Sequence, residues 1–230
     1  DARAMKSLSA PMILLVTTQC LRDMEDLPQY NELADELIEE IFRDFLKPEH
    51  RALYENVGLK GEILDIPQGR CINPGHSIET AWFLMNEALY RKDSIIMKKA
   101  LDILDWSMNL GWDKEYGGLL YFVDIMGKPA EQLEWDMKLW WPHTEALHAL
   151  LLAYHITGNE SYKETYDMVH KWSFEHFPDK EYGEWYGYLH RDGSVSNTLK
   201  GSMWKGPFHL PRALILNMKL LEKMMDTGQK

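Results

Sequence analysis

Apolar residues recur along this chain at helical spacing, in blocks separated by prolines, capping residues and glycines. Pro11 opens the first block, where Met12, Leu15 and Val16 share a face, and this helix is expected to end before Pro28. Asn31 is predicted to cap a helix over 32–46, whose Leu33, Leu37, Ile38, Ile41, Phe42 and Phe45 form one apolar face, with Pro48 as its stop. Residues 52–57 and 62–65 predict short strands or a hairpin around Gly58 and Gly61. A helix over 76–91 carries Ile78, Trp82, Phe83 and Leu89, and Asp93 caps the next one, through Leu110. Gly117 to Asp124 reads as a strand, a helix follows Pro142 as far as Gly158, and Ser161 caps another over 162–177. Residues 182–195 predict a hairpin turning at Asp192-Gly193. Pro211 starts the last helix, whose Leu210 to Met225 stripe faces a core rather than a zipper partner.

Three of these helix starts carry a histidine beside a proline: Pro74-Gly75-His76, Pro142-His143 and His209-Leu210-Pro211. The histidines recur at a period of about 66 residues. Repeating the interval between His76 and His143 backwards from His76 reaches Ser9, just before Pro11. That is a degenerate repeat, and its period accommodates two helices and a sizeable connection. Helical hairpins of this kind stack because one alone cannot bury its apolar face. Curved into a ring, they bring equivalent helix starts to one end, so the three histidines are expected to share a cavity.

Composition narrows the class without changing this picture. The 230 residues are 45% hydrophobic, 12% aromatic and 27% charged, as in a globular protein with a real core. A net charge of −11 argues against nucleic acid or an anionic membrane as partner. No apolar stretch approaches the roughly 20 residues of a membrane span. Two cysteines, Cys20 and Cys71, and no secretory signal lead us to expect a reducing, cytoplasmic setting. The start, Asp-Ala-Arg-Ala-Met-Lys, looks like the inside of a domain.

A helix N-terminus carries partial positive charge, which should keep a histidine there neutral and basic. Two such histidines on opposite sides of a substrate carbon could remove a proton from one face and return one to the other. Glu79 and Arg212 each lie three residues after a histidine, on the same helix face, where they could hold a polar ligand. Glu145, two after His143, should diverge from it. His50, His155, His170, His176 and His190 lack this context and are expected at the surface or in the core. A metal on the three histidines, or on Glu145 and His148, is disfavoured, because proton transfer needs none and that pair has no second copy.

The segments Pro74–Leu84, Gln132–Ala146, Glu181–Leu189 and Lys205–Arg212 resemble, in wording and order, the N-acylglucosamine 2-epimerase family, also described as renin-binding protein. The resemblance implies an all-α fold, an (α/α)6 barrel, over 1–230 as one partial barrel of about three and a half hairpins with short β-hairpins in the connections. It implies interconversion of N-acetylglucosamine and N-acetylmannosamine at C2 of the open-chain sugar. His76 and His209 would be the acid/base residues, with Glu145 and Arg212 in the site; Glu79, Trp141 and His143 complete the candidate substrate-binding set. Nucleotide, usually ATP, would be an activator that is not consumed, and a homodimer is expected.

Deprotonation at C2 also requires donors aimed at the neighbouring aldehyde oxygen, for which Arg212 is a candidate. Six units would need roughly 400 residues by the repeat arithmetic, so this sequence is expected to be a fragment, to be completed by a partner, or to be a reduced form with an open groove. Two other readings stand beside the leading one: epimerisation or isomerisation of an unacylated sugar such as cellobiose or mannose, and non-catalytic sugar or protein binding.

Overall fold

A computed structural model describes residues 4–226 and Gly228. Seven helices appear among them: α1 Ser9–Met24, α2 Pro28–Glu40, α3 Pro74–Arg91, α4 Ser94–Gly111, α5 Trp140–Thr157, α6 Glu160–His176 and α7 His209–Asp226. They make three antiparallel hairpins and a single helix. The odd-numbered helices pack on one another in series, and α2, α4 and α6 pack mainly on their own hairpin partners. The burial pattern follows from this layering. From Trp140 to Tyr154 every residue of α5 is buried, as for a helix covered on all sides, whereas α2 and α6 bury a single stripe.

Local chemistry sets most of the helix ends. The Asn73 side chain accepts from the His76 amide, and Asp93 accepts from the amides of Ile95 and Ile96, so both caps satisfy otherwise orphaned donors. Gly158 ends α5 in the left-handed region at φ 67°. Two expectations are corrected. α1 ends at Met24, before Pro28 as expected, and Pro28 itself opens α2, because a proline in the first turn forfeits no hydrogen bond. Asn31 therefore lies inside α2 and accepts from Arg22, and the helix runs on through a π-helical turn, Ile41–Phe45. Asn159, not Ser161, caps α6, its side chain accepting from the Ser161 amide.

The connections hold eight very short strands: β1 Met5–Ser7, β2 Leu46–Lys47, β3 Ala52–Leu53, β4 Asn56–Gly58, β5 Cys71–Ile72, β6 Val123–Asp124, β7 Lys138–Leu139 and β8 Tyr188–Leu189. They pair antiparallel as β1–β4, β2–β3, β5–β6 and β7–β8. Residues 62–65 form no strand; Gly58 and Gly61 make the turn, and β4 pairs with β1. The hairpin turning at Asp192-Gly193 forms, with Leu189 bridged to Val195, and Tyr188 and Leu189 pair on their other side with β7. Three of these four ladders, β1–β4, β5–β6 and β7–β8, thus tie a hairpin's outgoing connection back to the segment that enters the same hairpin. Between α4 and β6 the chain turns through Gly117 and Gly118, both at positive φ and with the Trp172 ring close against them, so a side chain would fit neither the backbone nor the space. Both cysteines are free, Cys71 buried and Cys20 exposed. No helix among the described residues is long and apolar enough to cross a membrane.

Candidate active site

The starts of α3, α5 and α7 meet at one end of the helical layer. Trp141, second residue of α5, stands with its ring 5.1 Å from His76 and 5.3 Å from His209, centroid to centroid. These three rings, with Tyr121, Tyr188 and Trp204, line a cavity of about 750 Å³. Each histidine is held by one carboxylate. His76 Nδ1–H donates to Glu55 Oε2 at 2.9 Å, and His209 Nδ1–H donates to Glu145 Oε1 at 2.7 Å. An ionised carboxylate can only accept, which places the Nδ1 proton on each ring. Neither Nε2 has a protein partner among the described residues, so both are available as bases.

Behind the histidines lies a buried layer of charge. Arg212 Nη2 donates to Glu79 Oε1 at 2.6 Å and to Glu145 Oε1 at 2.7 Å, and Trp82 Nε1 donates to Glu145 Oε2 at 2.8 Å. Burial works against ionising Glu145, but the His209 hydrogen bond and Arg212 outweigh it and hold this carboxyl below the usual range. Burial and the neighbouring Glu145 push Glu79 the other way, above the usual range. Ligand atoms of Glu79, Glu145 and His209 lie within 4.8 Å of one another. Arg212 already occupies the cationic position between the two carboxylates, a guanidinium where a metal would otherwise be considered. Arg212 does not line the 750 Å³ cavity; it faces a second one of about 670 Å³ between α1, α3 and α7.

His143 is not brought to the cavity. Its ring is fully buried and stacks on Trp172 at 4.9 Å; Nδ1–H donates to the Leu139 carbonyl and Nε2 accepts from the Leu119 amide. With both nitrogens used, and burial disfavouring charge, its pKa falls to about 3. The physical reason is register. Glu79, Glu145 and Arg212 meet in one cluster, and they recur at almost the same interval along the chain. Three residues before each of them stand His76, Pro142 and His209. His143 is one residue late, which on a helix is a rotation of about 100°. Counting the repeat on the charged positions, rather than on the histidines, would have shown this.

Glu55 was not singled out from the sequence, because a carboxylate between short strands in 52–57 carries no local signature. Nor is His76 kept neutral by the helix terminus as expected. Burial does disfavour its imidazolium, but Glu55, with Glu79 and Glu145 behind, outweighs burial and leaves His76 above the ordinary value.

A sequence profile described as N-acylglucosamine 2-epimerase (GlcNAc 2-epimerase) matches residues 2–213. The N-acylglucosamine 2-epimerase of Bos taurus is 40% identical over 98% of this chain, and that of Homo sapiens 37% over 98%. The chain belongs to the N-acylglucosamine 2-epimerase family. It spans about half the length of these curated relatives, 54% and 53%. Among solved structures, a D-mannose isomerase superposes with a TM-score of 0.81 at 21% identity, covering 94% of this chain and 57% of the other. Cellobiose 2-epimerase from Bacillus thermoamylovorans gives 0.78 at 19%, covering 94% and 53%. These likenesses establish the fold: three helical hairpins and a single helix, as part of an (α/α)6 barrel. Three of the segments that carry the sequence resemblance form the cluster just described: Pro74–Leu84 supplies His76 and Glu79, Gln132–Ala146 supplies Trp141 and Glu145, and Lys205–Arg212 supplies His209 and Arg212.

Proposed function

We propose that the protein epimerises N-acylhexosamines at C2, interconverting N-acetylglucosamine and N-acetylmannosamine. One observation carries this: two imidazoles with Nδ1 anchored on carboxylates and Nε2 without a partner among the described residues, both against Trp141 on the wall of one cavity. An epimerase without redox chemistry needs such a pair, one ring to take a proton and one to give it. In the open-chain sugar, one imidazole removes the C2 proton, and the electron pair of the broken C–H bond moves toward C1 as the aldehyde oxygen becomes an enolate. The opposite imidazolium then delivers a proton to the other face of C2, and the electron pair returns to re-form the carbonyl. Each turnover leaves the protonation of the rings exchanged, and solvent resets it.

Glu79, Glu145 and Arg212 support this site from behind, with Glu145 fixing His209 directly. Trp141 offers the sugar an apolar face between the two bases. A nucleotide, ATP first, is proposed as an activator that is not consumed; a homodimer and a cytoplasmic setting complete the reading. The test is proton exchange: the protein is incubated in D2O with N-acetylmannosamine, with and without ATP, and C2 deuterium and the epimer ratio are followed by NMR. Deuterium at C2 together with N-acetylglucosamine formation is the expected result. Exchange on mannose or cellobiose alone would move the assignment to an unacylated sugar, and sugar binding by a folded protein with no exchange at all would overturn catalysis.

A further inference from the structure

The two histidines are held by different kinds of carboxylate. Glu145 is shared: besides His209 it takes hydrogen bonds from Arg212 and Trp82. Glu55 makes one side-chain hydrogen bond among the described residues, to His76. Its backbone is fixed on both sides, the amide donating to the Cys71 carbonyl at 3.3 Å and the carbonyl accepting from the Leu8 amide at 2.9 Å. Glu55 is thus locked between the approach to α1 and the approach to α3, and its side chain is nine-tenths buried.

The repeat gives an independent reason to regard this position as part of the site. The same two steps that lead from Glu79 to Glu145 and on to Arg212 carry Glu55 onto Tyr121 and then Tyr188. Both tyrosines line the cavity. This position lines the cavity directly in two connections; in the first it is a carboxylate, which reaches the cavity through the His76 ring. That unit is also the one whose inner helix begins at Ser9 with no histidine of its own. The first hairpin contributes its chemistry through Glu55, by way of the second hairpin's histidine.

We propose that Glu55 is the positioning residue of His76: its carboxylate fixes the ring with Nε2 toward the cavity and holds the positive charge when that ring carries the C2 proton. The other charges that bear on His76 are Glu79 of its own helix and Glu145 of α5, and Arg212 of α7 sits between those two carboxylates. Their field is partly cancelled, and Glu55 has no such cation on it among the described residues, so Glu55 is the group whose removal changes His76 most. The proposal rests on the epimerase reading for its consequence in catalysis, while the state of His76 is measurable without turnover.

The experiment follows the His76 ring by NMR in histidine-labelled protein, assigned by loss of its signal in His76→Asn. In the unsubstituted protein the ring nitrogens should report the Nδ1–H tautomer; an Nε2–H tautomer overturns the proposal even if no variant folds. Glu55→Gln keeps the shape and an accepting oxygen but removes the charge, and should lower the His76 titration midpoint by about one pH unit or more. Glu55→Asp keeps the charge and should leave the midpoint nearer to that of the unsubstituted protein. In parallel, the limb of the kcat profile for C2 exchange that belongs to His76 should move to lower pH in Glu55→Gln, with KM changed by less than about threefold. An unmoved midpoint in folded Glu55→Gln overturns the proposal. A moved midpoint in a protein that never exchanges C2 deuterium upholds the Glu55–His76 pairing and overturns the epimerase reading instead.

Discussion

The starts of α3 and α5 are nearly the same in sequence, Pro74-Gly75-His76 against Trp141-Pro142-His143, and they end in opposite environments. His76 opens onto a cavity, paired with a carboxylate and biased toward the imidazolium. His143 is fully buried against Trp172, bonded through both nitrogens to backbone groups, and held neutral. One residue of register separates the two outcomes. A histidine beside a proline at a helix start is therefore not in itself a reactive group; its angular position on the helix and the charge of its partner decide.

Three substitutions test that contrast, and the largest effect is expected at the cavity. His76→Asn and His209→Asn should each lower C2 exchange about 10²- to 10⁴-fold, the range for losing a general acid or base. His143→Asn should leave the exchange rate of the folded protein within about tenfold of its unsubstituted value. Equal losses at all three positions, measured on protein of matched folding by circular dichroism, would put His143 back among the reacting groups.

The next effect concerns the layer behind the histidines. Arg212→Met removes the cation between Glu79 and Glu145, both about 2% exposed or less, and leaves two buried carboxylates facing each other with no guanidinium between them. Breaking a buried ion pair from one side costs about 3–5 kcal/mol, so urea unfolding at neutral pH should show a loss of that order. The loss should shrink as the medium is acidified, because the carboxylates then share a proton; a loss independent of pH would count against the electrostatic account.

The smallest effect isolates His143. Its native pKa of about 3 lies below the ordinary histidine value near 6.5, so between these limits the unfolded chain binds a proton that the native protein does not. Stability is then lost as pH falls through this window, by about 1.4 kcal/mol per unit from this group. His143→Asn should be less stable at pH 7 but should lose stability less steeply between pH 6 and pH 4. Parallel curves for the two proteins would show that His143 is not the buried neutral group described.

Much of the fold was legible because it is written in neighbouring residues. Asp93 before an apolar helical run is a cap whatever the rest of the chain does, and its bonds to Ile95 and Ile96 bear this out. Gly158 ends a helix for a similarly local reason. Asn31 misled because a capping residue type reads the same at a helix start and one turn inside it, and Pro28, three residues earlier, is what opens α2. The strand pairs were not legible at all: two-residue ladders such as Lys138–Leu139 with Tyr188–Leu189 are held by connections about 50 residues apart, with no pattern long enough to mark them.

Sequence by itself determined the helical hairpins, the period at which they recur, and the residue types delivered to each helix start, since helix caps, prolines and apolar spacing act over one or two turns. It also determined that Glu79, Glu145 and Arg212 occupy equivalent places. Tertiary structure alone decided what those residues do to one another. Arg212 became the counterion of two carboxylates 133 and 67 residues away, Glu55 became the partner of His76, and Trp141 rather than His143 came to stand beside both bases. The physical reason is distance: hydrogen bonds and buried charges act over a few ångströms, and only the packing of α3, α5 and α7 brings such remote residues within that range.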